Sequence, residues 1–95
     1  MADSIKVAWR DVTSFSRDEK ERRPSVFTIF HGSLSITVLD SHIYHPGQWV
    51  MHCPALQMET LLLPSATCLE EAQAAAIDVV AKRLRELSLD LEAFR

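Results

Sequence analysis

Between His31 and Cys68 only Asp40 and Glu59 carry a formal charge, whereas residues 1–30 hold six basic and five acidic groups and residues 69–95 four basic and six acidic. Charged side chains are seldom buried unpaired, so a long stretch nearly free of them has to supply most of the core or an interface. The two charged ends are close to balanced, and the net charge of -3 is the sum of two solvated flanks around an almost uncharged centre. In a chain of 95 residues this leaves room for one domain spanning 1–95 with one modest core.

Within that centre the apolar residues recur with a period of two. Leu34, Ile36 and Val38 alternate with Ser33, Ser35 and Thr37, the pattern of a strand with one buried face. Ser25 to Phe30 is rich in β-branched and aromatic residues, and His31–Gly32 between the two runs predicts a tight hairpin. A loop over 40–47 ends in Pro46–Gly47. Gln48 to Cys53 then places Trp49, Met51 and Cys53 on one face and Val50 and His52 on the other, until Pro54 ends the strand. Gln57 to Leu63 offers a further strand, closed by Pro64. Upstream, Ile5, Val7 and Trp9 share one side of a short edge strand, and the run 16–24 (SRDEKERRP) reads as a charged loop.

The period then changes. Thr67-Cys68-Leu69-Glu70 has the spacing of a capping box, in which the Thr67 hydroxyl accepts from the Glu70 N–H and the Glu70 carboxylate accepts from the Thr67 N–H. Ala72, Ala74, Ala75 and Ala76 favour a helix, and Leu69, Ala72, Ala76, Val79 or Val80, Leu84 and Leu87 repeat as a core-facing stripe. Asp78–Lys82 has pairing spacing, and Lys82, Arg83 and Arg85 are expected near the helix end, where the dipole favours cations. The residues that follow, 88–95, form an apolar tail that either caps the core or meets a second subunit. The predicted architecture is therefore α+β: a three- to four-stranded antiparallel sheet followed by one long C-terminal helix on one face.

The chain shows little catalytic equipment. Two glycines, Gly32 and Gly47, build no phosphate-cradling loop. His42-x-x-His45 has ligand-like spacing with His52–Cys53 nearby, but neighbours on a strand point to opposite faces, and a structural metal site needs three or four convergent ligands. Cys53 and Cys68 read as reduced, buried thiols of a cytoplasmic protein, without a partner base. No metal, cofactor or catalytic residue is assigned, and a thiol- or metal-dependent enzyme is the least favoured alternative. No apolar run approaches bilayer-spanning length. Arg17, Lys20, Arg22 and Arg23, joined by Lys82, Arg83 and Arg85, make a nucleic-acid surface the main alternative, although Asp18, Glu19 and Glu21 offset the first group. Trp9 and Tyr44 are the aromatics expected at an interface, together with Leu89, Leu91 and Phe94 of the tail.

The segment Gly47–Gln48–Trp49–Val50–Met51–His52–Cys53–Pro54–Ala55–Leu56, followed by Thr67–Cys68–Leu69–Glu70–Glu71–Ala72, resembles the N-terminal domain of HicB-like antitoxins over residues 25–87 at most. The resemblance implies a partial double-stranded-RNA-binding-domain-like fold, β-β-β-α, and a role in gripping a protein partner. In build the chain is also similar to small proteins of prophages and mobile elements. The expectation is a non-enzymatic interaction module that forms a homodimer and binds a further protein.

Overall fold

The structure is a computed structural model, and it describes residues 7–13 and 24–95. The hairpin forms where the alternation places it. Strands β2 (Val26–His31) and β3 (Leu34–Leu39) pair antiparallel, with His31 opposite Leu34 across the two-residue turn Gly32–Ser33. Gly32 takes φ +60°, which a glycine adopts without penalty, while Ser33 stays in the ordinary negative region, the pattern of a II′ turn. β4 (Val50–Cys53) pairs with β3. After a single 3-10 turn over Pro54–Leu56, β5 (Met58–Leu62) returns beside β4. On the other side the two-residue β1 (Arg10–Asp11) pairs with Phe27 and Thr28. Among the described residues the sheet thus has five antiparallel strands in chain order rather than three or four.

Both additions have local causes. The segment 57–63 is apolar enough to be read either way, and its pairing with Val50, Met51 and Cys53 settles it as a strand. The edge strand falls at Arg10–Asp11 rather than ending at Trp9. Thr13 fixes it: its Oγ1 accepts from the N–H of Ser25 (2.8 Å) and of Val26 (2.9 Å), and it donates to Asp11 Oδ1 (2.6 Å). One hydroxyl thereby ties the start of β2 to the end of β1. Ile5 and residues 16–23 of the charged loop lie outside the described residues.

One face of the sheet carries Phe27, Ile29, Leu34, Ile36, Val38, Met51 and Cys53, in accord with the alternation. Helix α1 (Leu69–Glu92) lies across β3 and β4 on this face. Val38, Met51, Cys53, Ala72 and Ala76 are wholly buried between the two layers, with Ile36, Leu63 and Val80 nearly so. Alanine at 72 and 76 lets the helix come close to the sheet, and Trp9, Trp49 and Leu69 close the sides of the core.

The helix begins one residue later than the capping box implies. Cys68 is the N-cap, and Glu71, not Glu70, is the third helical residue. Its Oε1 accepts from both the N–H (2.8 Å) and the hydroxyl (2.6 Å) of Thr67, so the reach-back is real but shifted by one position. These two bonds hold the Glu71 carboxyl below the usual carboxylate range. Cys68, expected to be buried, is exposed, while Cys53 is buried; both are free thiols.

Candidate functional site

Helix α1 has 24 residues and is therefore about 36 Å long. The sheet covers only its first half. Ala72, Ala76 and Val80, spaced by four, mark the covered line, and every residue after Ala81 is exposed. The apolar stripe nevertheless continues. Leu84, Leu87, Leu91 and Phe94 follow at steps of three and four on the face that Ala76 and Val80 present to the sheet. They are exposed by 44%, 37%, 48% and 84%. Leu84 and Leu87, which the periodicity assigns to the core, are thus outside it. The periodicity is correct, but the sheet ends before reaching them.

The helix also absorbs most of the apolar tail expected over 88–95, because it continues to Glu92 and its C-cap Ala93 keeps helical backbone angles. This corrects the expected placement of the cations as well. Lys82, Arg83 and Arg85 are mid-helix, and the last turn holds no basic residue, so the dipole is not complemented there. Among the described residues the ion pairs on this helix are Arg83–Glu86 at 3.5 Å and Glu92–Arg95 at 3.7 Å, both solvent-exposed, rather than Asp78–Lys82. Exposed pairs of this kind contribute little to stability.

The five residues expected at an interface do not form one patch. Leu91 and Phe94 lie on the overhanging stripe. Leu89 stands four residues after Arg85 and seven after Lys82, on the solvent side of the helix with them. Trp9 is half-buried against the core. Tyr44 is 79% exposed in the loop before β4, its ring 5.8 Å from that of His42. Of the alternative cationic set, Lys82, Arg83 and Arg85 are all exposed, with Lys82 and Arg85 on the far side of the helix from the stripe; Arg17, Lys20, Arg22 and Arg23 lie outside the described residues.

A second feature adjoins the covered half. A cleft of about 150 Å³ opens between α1 and the β2–β3 hairpin, lined by Val7, Ile29, Phe30, His31, Leu34, Ile36 and Ile77. It exists because one helix is too narrow for the sheet. Five strands spaced by about 4.8 Å extend some 19 Å across, against about 10 Å for a helix, so α1 does not reach over the β2 side. Ile77, at its rim, is 43% exposed.

The opposite face of the sheet carries Thr28, Thr37, Val50 and His52. Thr28 and Thr37 share a 2.8 Å hydroxyl–hydroxyl bond, and the Arg10 guanidinium sits 5.1 Å from the centre of the Phe30 ring. Three histidines meet there: His42 lies 5.2 Å from His45 and 6.4 Å from His52, ring centre to ring centre. His52 is not the solvent-facing strand residue that the sequence suggests. Half-buried, it accepts the Thr60 N–H at Nδ1 (3.0 Å), and Thr60 adopts φ +51°, unusual for a β-branched residue, next to the register shift between Met51 and Cys53. The loss of hydration, with the nearby His42, lowers the His52 pKa, against a smaller opposing pull from Glu59. Cys53 points to the other face, as strand geometry requires. Among the described residues no group of three or more His, Cys, Asp or Glu side chains is placed to hold a metal ion, and no helix is long and apolar enough to cross a membrane.

No protein-family model, curated protein or solved structure matches the chain.

Proposed function

We propose that this chain is a non-enzymatic protein-interaction module and that its working surface is the overhanging half of α1. The observation that carries the reading is the continuity of one helical stripe: Ala72, Ala76 and Val80 are covered by the sheet, while Leu84, Leu87, Leu91 and Phe94 continue the same line in solvent. A contiguous exposed apolar strip on a helix is costly for a free monomer and marks a docking surface. The partner proposed is a second copy of the chain, since the strip's a/d-type spacing (Leu84, Leu87, Leu91, Phe94) is that of a helix pairing with a helix. The likeness to HicB-like antitoxin domains is retained as part of this proposal, because a protein-gripping role and a sheet followed by a helix both agree with it. A homodimer of this kind leaves Tyr44, in the loop before β4, open for a further protein.

Sedimentation equilibrium of the full chain tests the reading. Concentration-dependent association between about 1 and about 100 µM is expected. Leu87→Asp and Leu91→Asp should each abolish it while leaving the circular dichroism spectrum helical. A chain that stays monomeric throughout, or that associates equally well with both substitutions, overturns the proposal.

A further inference from the structure

We infer that the second copy pairs antiparallel and seats its Phe94 in the cleft beside Ile77; this rests on the self-association proposed above and assigns its geometry. Two unfilled apolar features stand out among the described residues. One is the bare end of α1. The other is the cleft on the sheet face, where Ile29, Leu34 and Ile36 lie beside the Ile77 rim. A single chain cannot join them, because Ile77 lies on α1 and Phe94 in the turn that closes the helix end, 17 positions and about 25 Å further along. Two chains can.

The spacing fixes the register. Ile77, Leu84 and Leu91 are separated by seven, and so are Val80, Leu87 and Phe94. When two such helices run antiparallel with Leu84 of each level with Leu87 of the other, Phe94 of one comes level with Ile77 of its partner. Ile77 forms the rim of the cleft, and 150 Å³ accommodates a phenyl ring. The partner's last turn would then lie as a second helix over the β2 side of the sheet, the part that α1 leaves uncovered. The contact is two-fold symmetric, so each copy donates one Phe94 and receives one, and the assembly closes at two.

Charge agrees with this register. It places Arg83 of each copy beside Asp90 of the other, forming two equivalent attractive pairs flanking the central leucines. A parallel pair would instead bring both sheets, each covering the stripe as far as Val80, to the same end of the helix pair, and would leave both clefts empty.

The experiment combines sedimentation equilibrium with intermolecular nuclear Overhauser effects in a mixed-label sample of the full chain. Phe94→Ala should weaken the dimer by about thirtyfold. Arg83→Asp and Asp90→Arg should each weaken it by about tenfold, and the double exchange should restore it to within about threefold of the original. Overhauser contacts are expected between the Phe94 ring of one copy and the Ile77, Ile29 or Leu34 methyls of the other. If the chain dimerises but shows Phe94-to-Phe94 contacts, or if the double exchange fails to restore association, the antiparallel geometry is overturned while self-association stands. A monomer at every concentration overturns both.

Discussion

The two halves of α1 share one pattern and have different surroundings. From Leu69 to Ala81 the stripe rests on Val38, Met51 and Cys53; from Lys82 onward a stripe of larger residues lies outside the core of the described residues. The covered half is lined by Ala72, Ala76 and Val80, whereas the bare half carries three leucines and a phenylalanine. Small residues suit a helix that must approach a sheet closely, and large ones suit a helix that must reach a partner across a gap. The difference in size along one face therefore separates the residues that hold the fold from those available for association.

That contrast can be broken most forcefully in the core. Met51→Ala, at a position with no exposure beneath the covered half, should cost about 2–5 kcal/mol in urea unfolding. The same truncation at Leu87, measured below the association range, should change stability by less than about 0.5 kcal/mol. Equal losses at the two sites would remove the distinction between the halves. A smaller effect is expected from enlargement: Ala76→Leu has no space to enter and should destabilise by about 1–3 kcal/mol, whereas Ser88→Leu on the bare half should leave the unfolding midpoint unchanged.

Titration sharpens the comparison between the two faces of the sheet. The folded His52 has a lowered pKa, so below its ordinary value of about 6.5 the unfolded chain takes up the proton first. Its contribution is present above that pH and is lost as the pH falls from about 6.5 toward the folded value, where protonation also removes the acceptor of the Thr60 N–H. A plot of thermal midpoint against pH should decline through this window, and His52→Gln should flatten it; an unchanged slope would contradict the placement. The smallest effect belongs to the helix start. Glu71→Gln should lower the thermal midpoint slightly at neutral pH, and Glu70→Gln should not. The Glu71 carboxyl is held low, so the difference should fade as the pH drops through its folded value.

Much of the fold is legible in the residues because alternation and helical spacing are local properties. Leu34 to Val38, the glycine at 32 and the alanines of α1 mark their elements without reference to anything distant. The candidate site is less legible for the same reason. Spacing identifies Leu84 and Leu87 as belonging to the stripe but carries no information on where the sheet ends, so they read as core. Leu91 and Phe94 fall on the overhanging stripe, whereas Leu89 sits at a different phase of the helix. The aromatic character of Trp9 says nothing of the core wall it completes. The histidines 42, 45 and 52 meet only because the loop before β4 folds back over the strand, and the reach-back to Thr67 falls on Glu71 because tertiary packing starts the helix at Leu69.

Neighbours within a few residues suffice to set a run of strands before one long helix, the hairpin turn, the apolar side of β3, β4 and α1 and the near absence of charge from the sheet. The number of strands, how far along α1 the apolar side is covered and the cleft beside it emerge from the packing of distant segments. Coverage depends on the breadth of the five strands relative to one helix of about 36 Å, a relation between distant parts of the chain that no local pattern encodes.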